Sequence, residues 1–183
     1  MVSCCSFYFT KVHTFYVTDL PEDTQDYFFT FEFYFIRYTF TVMIAIINGP
    51  NLNLLGKRQP EIYGSVSFGD FLRELRKRHP DTEIEYFQSN SEGEIIDHIH
   101  RLGYDTPQCE GIIINPGAYA HYSYAIADAI SSITLPVVEV HISNIHAREE
   151  FRHKSVTAPS CKAMLCGFGM EGYALALEWL LRK

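Results

Sequence analysis

From residue 43 onward, short apolar runs alternate with helix-like segments, and this alternation limits the fold more than any other feature of the sequence. The run 43–47 is continuously apolar and stops at Asn48-Gly49-Pro50, the pattern of a buried strand feeding a turn. In 66–79, Phe68, Phe71, Leu72 and Leu75 recur at helical spacing among charges, and Pro80 closes the segment. The pairing recurs with a strand at 83–88 and a helix at 91–102, whose Ser91 and Glu94 have capping-box spacing. A buried strand at 111–114 precedes a helix at 122–132, and a fourth strand at 136–140 precedes a short helix near 147–153. A fifth strand at 163–166 leads into a closing helix at 170–181.

Strands that alternate with helices predict a parallel sheet covered on both faces, because each parallel connection must cross over the sheet. Right-handed crossovers with five strands in the order 2-1-3-4-5 are the commonest solution. In that order the winding reverses between strands 1 and 3, so a ligand is expected at the loops after strands 1, 3 and 4. The polar residues gather there. The loop after strand 1 runs from Asn48 through Asn51, Arg58 and Tyr63 to Gly64, and ordered loops of that length are usually functional. Strand 3 is followed by Asn115, Gly117 and His121, and Asp128 lies on the next helix. Strand 4 carries Glu139 and His141 and is followed by Ile142, Ser143, Arg148 and Arg152. The last two are spaced to share one helix face.

Several function classes are excluded. A formal charge of -7 disfavours a nucleic-acid partner, which needs an excess of Lys and Arg. No phosphate-binding glycine motif occurs, and strand 1 does not end in a carboxylate that could take a phosphoryl group. His141 and His146 lack an HExxH frame or a neighbouring cysteine, so no metal is expected. The five cysteines form no CxxC pattern, and their odd number suits a reducing, cytoplasmic compartment.

Residues 1–42 are of another kind. About a third are Phe or Tyr, against about a tenth afterwards, and glycine is absent. A membrane span over 27–47 is not expected, because Glu32 and Arg37 would each cost about 2.5 to 3.5 kcal/mol at a bilayer centre. The expected division is an aromatic-rich extension at 1–42, not native or not ordered, and a catalytic domain at 43–183 that starts at Met43.

Three blocks resemble the type II 3-dehydroquinate dehydratases: Ile47-Asn48-Gly49-Pro50-Asn51-Leu52-Asn53-Leu54-Leu55-Gly56, then Asn115-Pro116-Gly117-Ala118, then the stretch from Glu139 to Arg152. The resemblance covers essentially all of 43–183. It implies a flavodoxin-like three-layer α/β/α fold, a dodecamer built from trimers, no cofactor, and anti elimination of water from 3-dehydroquinate through an enolate.

The resemblance also assigns roles. The base that removes the proton beside the ketone corresponds to Tyr63, with Arg58 as the cation that favours its phenolate. Asn51 offers an amide donor to the enolate oxygen. His141 fits the acid that helps the hydroxyl depart, and Glu139, on the same strand face, would hold and charge its ring. By family position Ile142 and Ser143 take the substrate carboxylate, Asn115, His121 and Arg152 take ring hydroxyls, and Asp128 reaches a neighbouring subunit's site. Arg148 resembles a position near the site and is equally well placed to be a structural ion-pair partner for Glu149 or Glu150. Gly56 and Gly64 bracket the loop as hinges of a lid. A regulatory module on the same scaffold is the main rival and predicts no turnover. A self-associating protein driven by its aromatic head is the other, and predicts that deleting 1–42 dissolves the assembly.

Overall fold

Continuous apolar runs bury both faces of a strand, and the sheet is built from them. The computed structural model describes residues 42–56 and 66–182. Its strands are β1 (Val42–Asn48), β2 (Thr82–Gln88), β3 (Cys109–Asn115), β4 (Val137–His141) and β5 (Ala163–Cys166). They form one five-stranded sheet in the order β2-β1-β3-β4-β5, with every pairing parallel. This is the flavodoxin-like order that the alternation predicts.

Helices cover both faces. Those of the described residues are α1 (Phe68–Arg78), α2 (Glu92–His100), α3 (Tyr124–Ser132) and α4 (Glu171–Leu181). On one side Ile44, Ile46, Ile113 and Val140 pack against Phe68, Phe71 and Leu75 of α1 and Tyr173 and Leu177 of α4. On the other, Met43, Ala45, Ile47, Ile112 and Ile114 pack against Ile95 and Ile99 of α2 and Ile126 and Ile130 of α3. Each fully buried isoleucine contributes about 1.5 to 3 kcal/mol. Ile46→Asp would strand a carboxylate at the centre of this packing and break it.

Capping sets the helix starts. The Ser67 hydroxyl accepts the Asp70 N–H at 3.1 Å and opens α1. Basic Arg76, Lys77 and Arg78 in the last turn complement the helix dipole. The expected capping box at α2 is half formed. Ser91 accepts the Glu94 N–H at 3.5 Å, but the Glu94 carboxylate turns to the Ser89 hydroxyl, which itself accepts the Ser91 N–H at 2.8 Å. Ser89 thus completes the circuit that the two-residue motif makes by itself elsewhere.

Two stretches differ from expectation. After α2 the chain relaxes into a π turn, Arg101–Asp105, instead of staying α-helical to residue 102. The short helix near 147–153 is two separate 3-10 turns, Ile145–Ala147 and Glu150–Arg152, with Arg148 extended between them. Arg148 and Arg152 therefore do not share a helix face. The Asn144 side chain caps the first turn by accepting the His146 N–H at 3.0 Å, and the Glu149–Arg152 pair fixes the second, so local polar contacts replace a continuous helix.

The expectations for 1–42 fall, Val42 apart, outside the described residues. No helix among the described residues is long and apolar enough to cross a membrane.

Candidate active site

The winding reversal places β1 and β3 side by side, with Asn48 of one in register with Asn115 of the other. Past these ends the two loops nearly touch. A Cβ on Gly49 would lie 2.4 Å from the Pro116 carbonyl oxygen, and Gly117 adopts φ +60° against Pro50, so only glycine lets the backbones approach this closely. Beneath them the buried Tyr173 hydroxyl donates to Asn48 Oδ1 at 2.8 Å and accepts from Asn115 Nδ2 at 2.9 Å. Burial pushes this phenol above its ordinary value, against the lowering effect of the two amides. It is a neutral strut.

A cavity of about 280 Å³ opens above this floor, at the carboxyl ends of β1, β3 and β4. The expected site residues Asn51, Asn115, His121, His141, Ile142, Ser143 and Arg152 all line it, as does Arg148. Asn51 is the one non-glycine residue with positive φ (67°) among the described residues. Its N–H donates to the Asn90 side chain at 2.9 Å, which holds the left-handed turn in place. Asn115 is already partly engaged. Besides its bond to Tyr173 its Oδ1 accepts the Gly117 N–H at 3.1 Å, so one amide hydrogen is left for a ligand.

His141 ends β4. Its Nε2 lies 2.7 Å from Glu139 Oε1, two residues earlier on the same strand face. Glu139 is 0% exposed and does not line the cavity, whereas His141 is 7% exposed and does. Burial pushes the Glu139 carboxyl upward. Hydrogen bonds from His141 and Thr157, the charge of His141 and a hydrogen bond from Ser155 outweigh it and hold the group below its usual range. The pair is a buried carboxylate behind an imidazole that faces the ligand space. The His121 ring stacks near that of His141, with centroids 6.4 Å apart, and its Nδ1 donates to the Lys154 carbonyl at 2.9 Å.

Two arginines line the same cavity. Arg152 Nε meets Glu149 Oε2 at 2.9 Å and its guanidinium sits 4.6 Å above the Phe151 ring. Arg148 Nη1 donates to the Ser143 hydroxyl at 3.3 Å and its Nε lies 3.6 Å from the same Glu149 oxygen. Hydrogen bonds from its own backbone and from Arg152, with the charges of both arginines, keep the Glu149 carboxyl below its usual range.

Asp128 stands exposed on α3 and does not line the cavity. Tyr63 and Arg58 lie outside the described residues, as does Gly64; Gly56 has φ 82°. Among the described residues no three His, Cys, Asp or Glu side chains gather as metal ligands would. Ser155, Thr157, Tyr173 and Asn90 were not singled out from the sequence. Tyr173 had a signal, a tyrosine at core spacing with Ala176, Leu177 and Leu180, since a buried hydroxyl needs partners. Ser155 and Thr157 had none.

An open parallel α/β sheet with an imidazole–carboxylate pair and arginines around one cavity at its carboxyl edge defines an acid–base enzyme for a small anionic substrate. The family model described as Dehydroquinase class II matches residues 42–181. A 3-dehydroquinate dehydratase of Caldicellulosiruptor bescii is 58% identical over 136 residues, covering 73% of this chain and 92% of the relative. The crystal structure of the type II dehydroquinase from Propionibacterium acnes superposes with a TM-score of 0.73 at 42% identity, over 78% of this chain and 97% of that one. That of Butyrivibrio crossotus gives 0.72 at 46% identity, over 76% and 97%. The chain belongs to the class II dehydroquinase family.

Proposed function

We propose that the chain dehydrates 3-dehydroquinate to 3-dehydroshikimate, a lyase step of the shikimate pathway, by anti elimination through an enolate. The observation that carries the residue assignment is the His141–Glu139 pair, whose imidazole meets at the end of β4 the cavity that Ser143 and Arg152 also line. The reaction removes a proton from the carbon beside the ketone and a hydroxyl from the next carbon. The electron pair of the broken C–H bond first resides on the enolate oxygen. It then returns to form the carbon–carbon double bond as the C–O bond breaks, and water departs.

Tyr63 is the base in this reading. A phenol ordinarily titrates near 10, so ionising it at neutrality needs a shift worth about 3 to 4 kcal/mol, which the nearby cation Arg58 supplies in large part. Asn51 donates to the enolate oxygen directly or through water. His141 gives its proton to the leaving hydroxyl, and Glu139 fixes the ring and balances its charge. The Ile142 N–H and the Ser143 N–H and hydroxyl take the substrate carboxylate, while Asn115, His121 and Arg152 take ring hydroxyls. No cofactor enters these steps.

The same reading makes the enzyme a cytoplasmic dodecamer of trimers, with Asp128 of one subunit serving the site of the next. The exposed position of Asp128, away from its own cavity, suits that role. Exposed Leu175 and Trp179 on α4 favour burial in an assembly. Light scattering tests the oligomer. The activity test is a continuous ultraviolet assay, since the product is a conjugated enone carboxylate and the substrate is not. Absence of the new absorbance with 3-dehydroquinate would overturn the reading.

A further inference from the structure

Glu139 presents a physical problem that the pairing with His141 does not solve. It is a wholly buried carboxylate, and its one ion-pair partner among the described residues is a histidine, which is charged only when protonated. Burial alone drives such a group to take up a proton. A neutral carboxyl would no longer balance an imidazolium, and the acid would lose its support.

The solution lies in the strap between the Glu150–Arg152 turn and β5. The Ser155 hydroxyl donates to Glu139 Oε1 at 2.7 Å, the oxygen that also meets His141. The Thr157 hydroxyl donates to Glu139 Oε2 at 2.6 Å, and Thr157 is itself 0% exposed. Each hydroxyl has one hydrogen, and the carboxylate oxygens are the shortest contacts that hydrogen can meet; Ser155 Oγ also lies 3.1 Å from Thr157 Oγ1 and 3.5 Å from the Ala120 carbonyl. Ser155 Oγ is turned into position by accepting the Ala158 N–H at 3.0 Å. The Cys161 thiol also faces Oε2, at 3.9 Å, and burial and the carboxylate together push that thiol upward and keep it protonated. His141, Ser155, Thr157 and Cys161 are thus the groups whose hydrogen bonds reach Glu139 from β4, the strap and the approach to β5.

The strap serves the second site histidine as well. Its Lys154 carbonyl accepts the His121 Nδ1 hydrogen at 2.9 Å, and its Val156 N–H donates to the Ala120 carbonyl at 2.7 Å. One short segment ties the loop after β3 to the end of β4.

We propose that Ser155 and Thr157 are positioning residues of the reaction: their hydroxyls select the ionised form of Glu139 and aim it at His141, so that the acid is supported across the working pH range. This inference rests on the reading of His141 as the acid. Neither hydroxyl touches the substrate. Their effect passes through the protonation of Glu139, and a merely structural hydroxyl would leave that unchanged.

The test is steady-state dehydration of 3-dehydroquinate by the full chain and its Thr157→Val, Thr157→Ser, Ser155→Ala and Glu139→Gln variants, from about pH 9 down to about pH 4, where the acid limb of a depressed carboxyl is met. Loss of one donor to a charged acceptor is expected to move the acid limb of kcat upward by about one pH unit in Thr157→Val. At neutral pH, where the carboxyl stays ionised in either protein, kcat should change by less than about twofold, and the loss should grow as pH falls toward about 5, with KM within about twofold. Ser155→Ala shifts the limb in the same direction, and Thr157→Ser restores it. An unmoved limb in folded Thr157→Val overturns the inference; where that variant does not fold, an unmoved limb in Ser155→Ala does so alone. Glu139→Gln separates the two levels. If it is inactive while the limb stays put, only the hydroxyl role fails; if it turns over like the parent, an ionised Glu139 is not needed and this inference falls, whereas the reading of His141 as the acid falls only if His141→Ala turns over like the parent.

Discussion

The Tyr173 hydroxyl and the Asn115 amide, which are far apart in sequence and 2.9 Å apart in space, fasten α4 to the floor of the cavity. The same hydroxyl reaches Asn48, so one buried phenol ties together the ends of the two central strands at the winding reversal.

Tyr173→Phe removes that strut with little change of shape. Asn48 Oδ1 and one Asn115 hydrogen lose their partner in a site closed to water, which costs about 1 to 3 kcal/mol. The melting temperature should fall by about 3 to 10 °C, and KM for 3-dehydroquinate should rise as Asn115 loosens. Differential scanning calorimetry with an unchanged Tm would show the hydroxyl to be idle.

The Glu139 carboxylate gives a pH dependence of stability whose sign is fixed. Its folded pKa lies below the ordinary carboxyl value of 4.5, so the folded state binds the proton less readily than the unfolded chain. The resulting stabilisation is complete above that ordinary value, and is lost as pH falls through the depressed folded value. Glu139→Gln should therefore flatten the acid side of a Tm-against-pH curve while lowering kcat by about 10²-fold or more through the loss of support for His141. A parallel, merely displaced curve would mean that the carboxylate is not ionised in the fold.

Arg152 is oriented by Glu149 and by the face of Phe151, so its guanidinium is fixed before any substrate arrives. Arg152→Ala should raise KM roughly tenfold to a hundredfold, with kcat changed by less than about threefold, because the contact serves ground state and transition state alike. Isothermal titration with a non-reacting analogue checks this. Unchanged affinity would move Arg152 out of the binding set.

The sheet was legible because strand and helix periods differ and the two alternate without interruption from Met43. The cavity lies at the loops that the strand order points to, and the contact of His141 with Glu139 agrees with their two-residue spacing on one strand face, while their roles came from the family resemblance. Contacts between distant segments left less trace. Thr157 holds Glu139, and Tyr173 holds Asn48 and Asn115, from positions set by the fold, and no local pattern marks a hydroxyl that works on a side chain from another element. The stretch 147–153 misled for the opposite reason. Its spacing suits a helix, but Asn144 and Glu149 spend their side chains on two short turns instead.

The assignment of Tyr63 and Arg58 makes the sharpest prediction. Tyr63→Phe deletes the base and keeps the ring, so turnover should fall by about 10³-fold or more while an analogue still binds. Arg58→Ala is more telling, because it leaves the base in place and removes the charge that favours its ionised form. The phenol would then return toward its ordinary value near 10, and turnover at neutral pH would fall by about 10²-fold or more yet recover as the solution is made alkaline. Recovery at high pH separates a cation that tunes a base from one that merely binds substrate, since a lost binding contact weakens the reaction at every pH alike. A pH profile for Arg58→Ala parallel to that of the parent, or near-native turnover by Tyr63→Phe, would require another base for the first step.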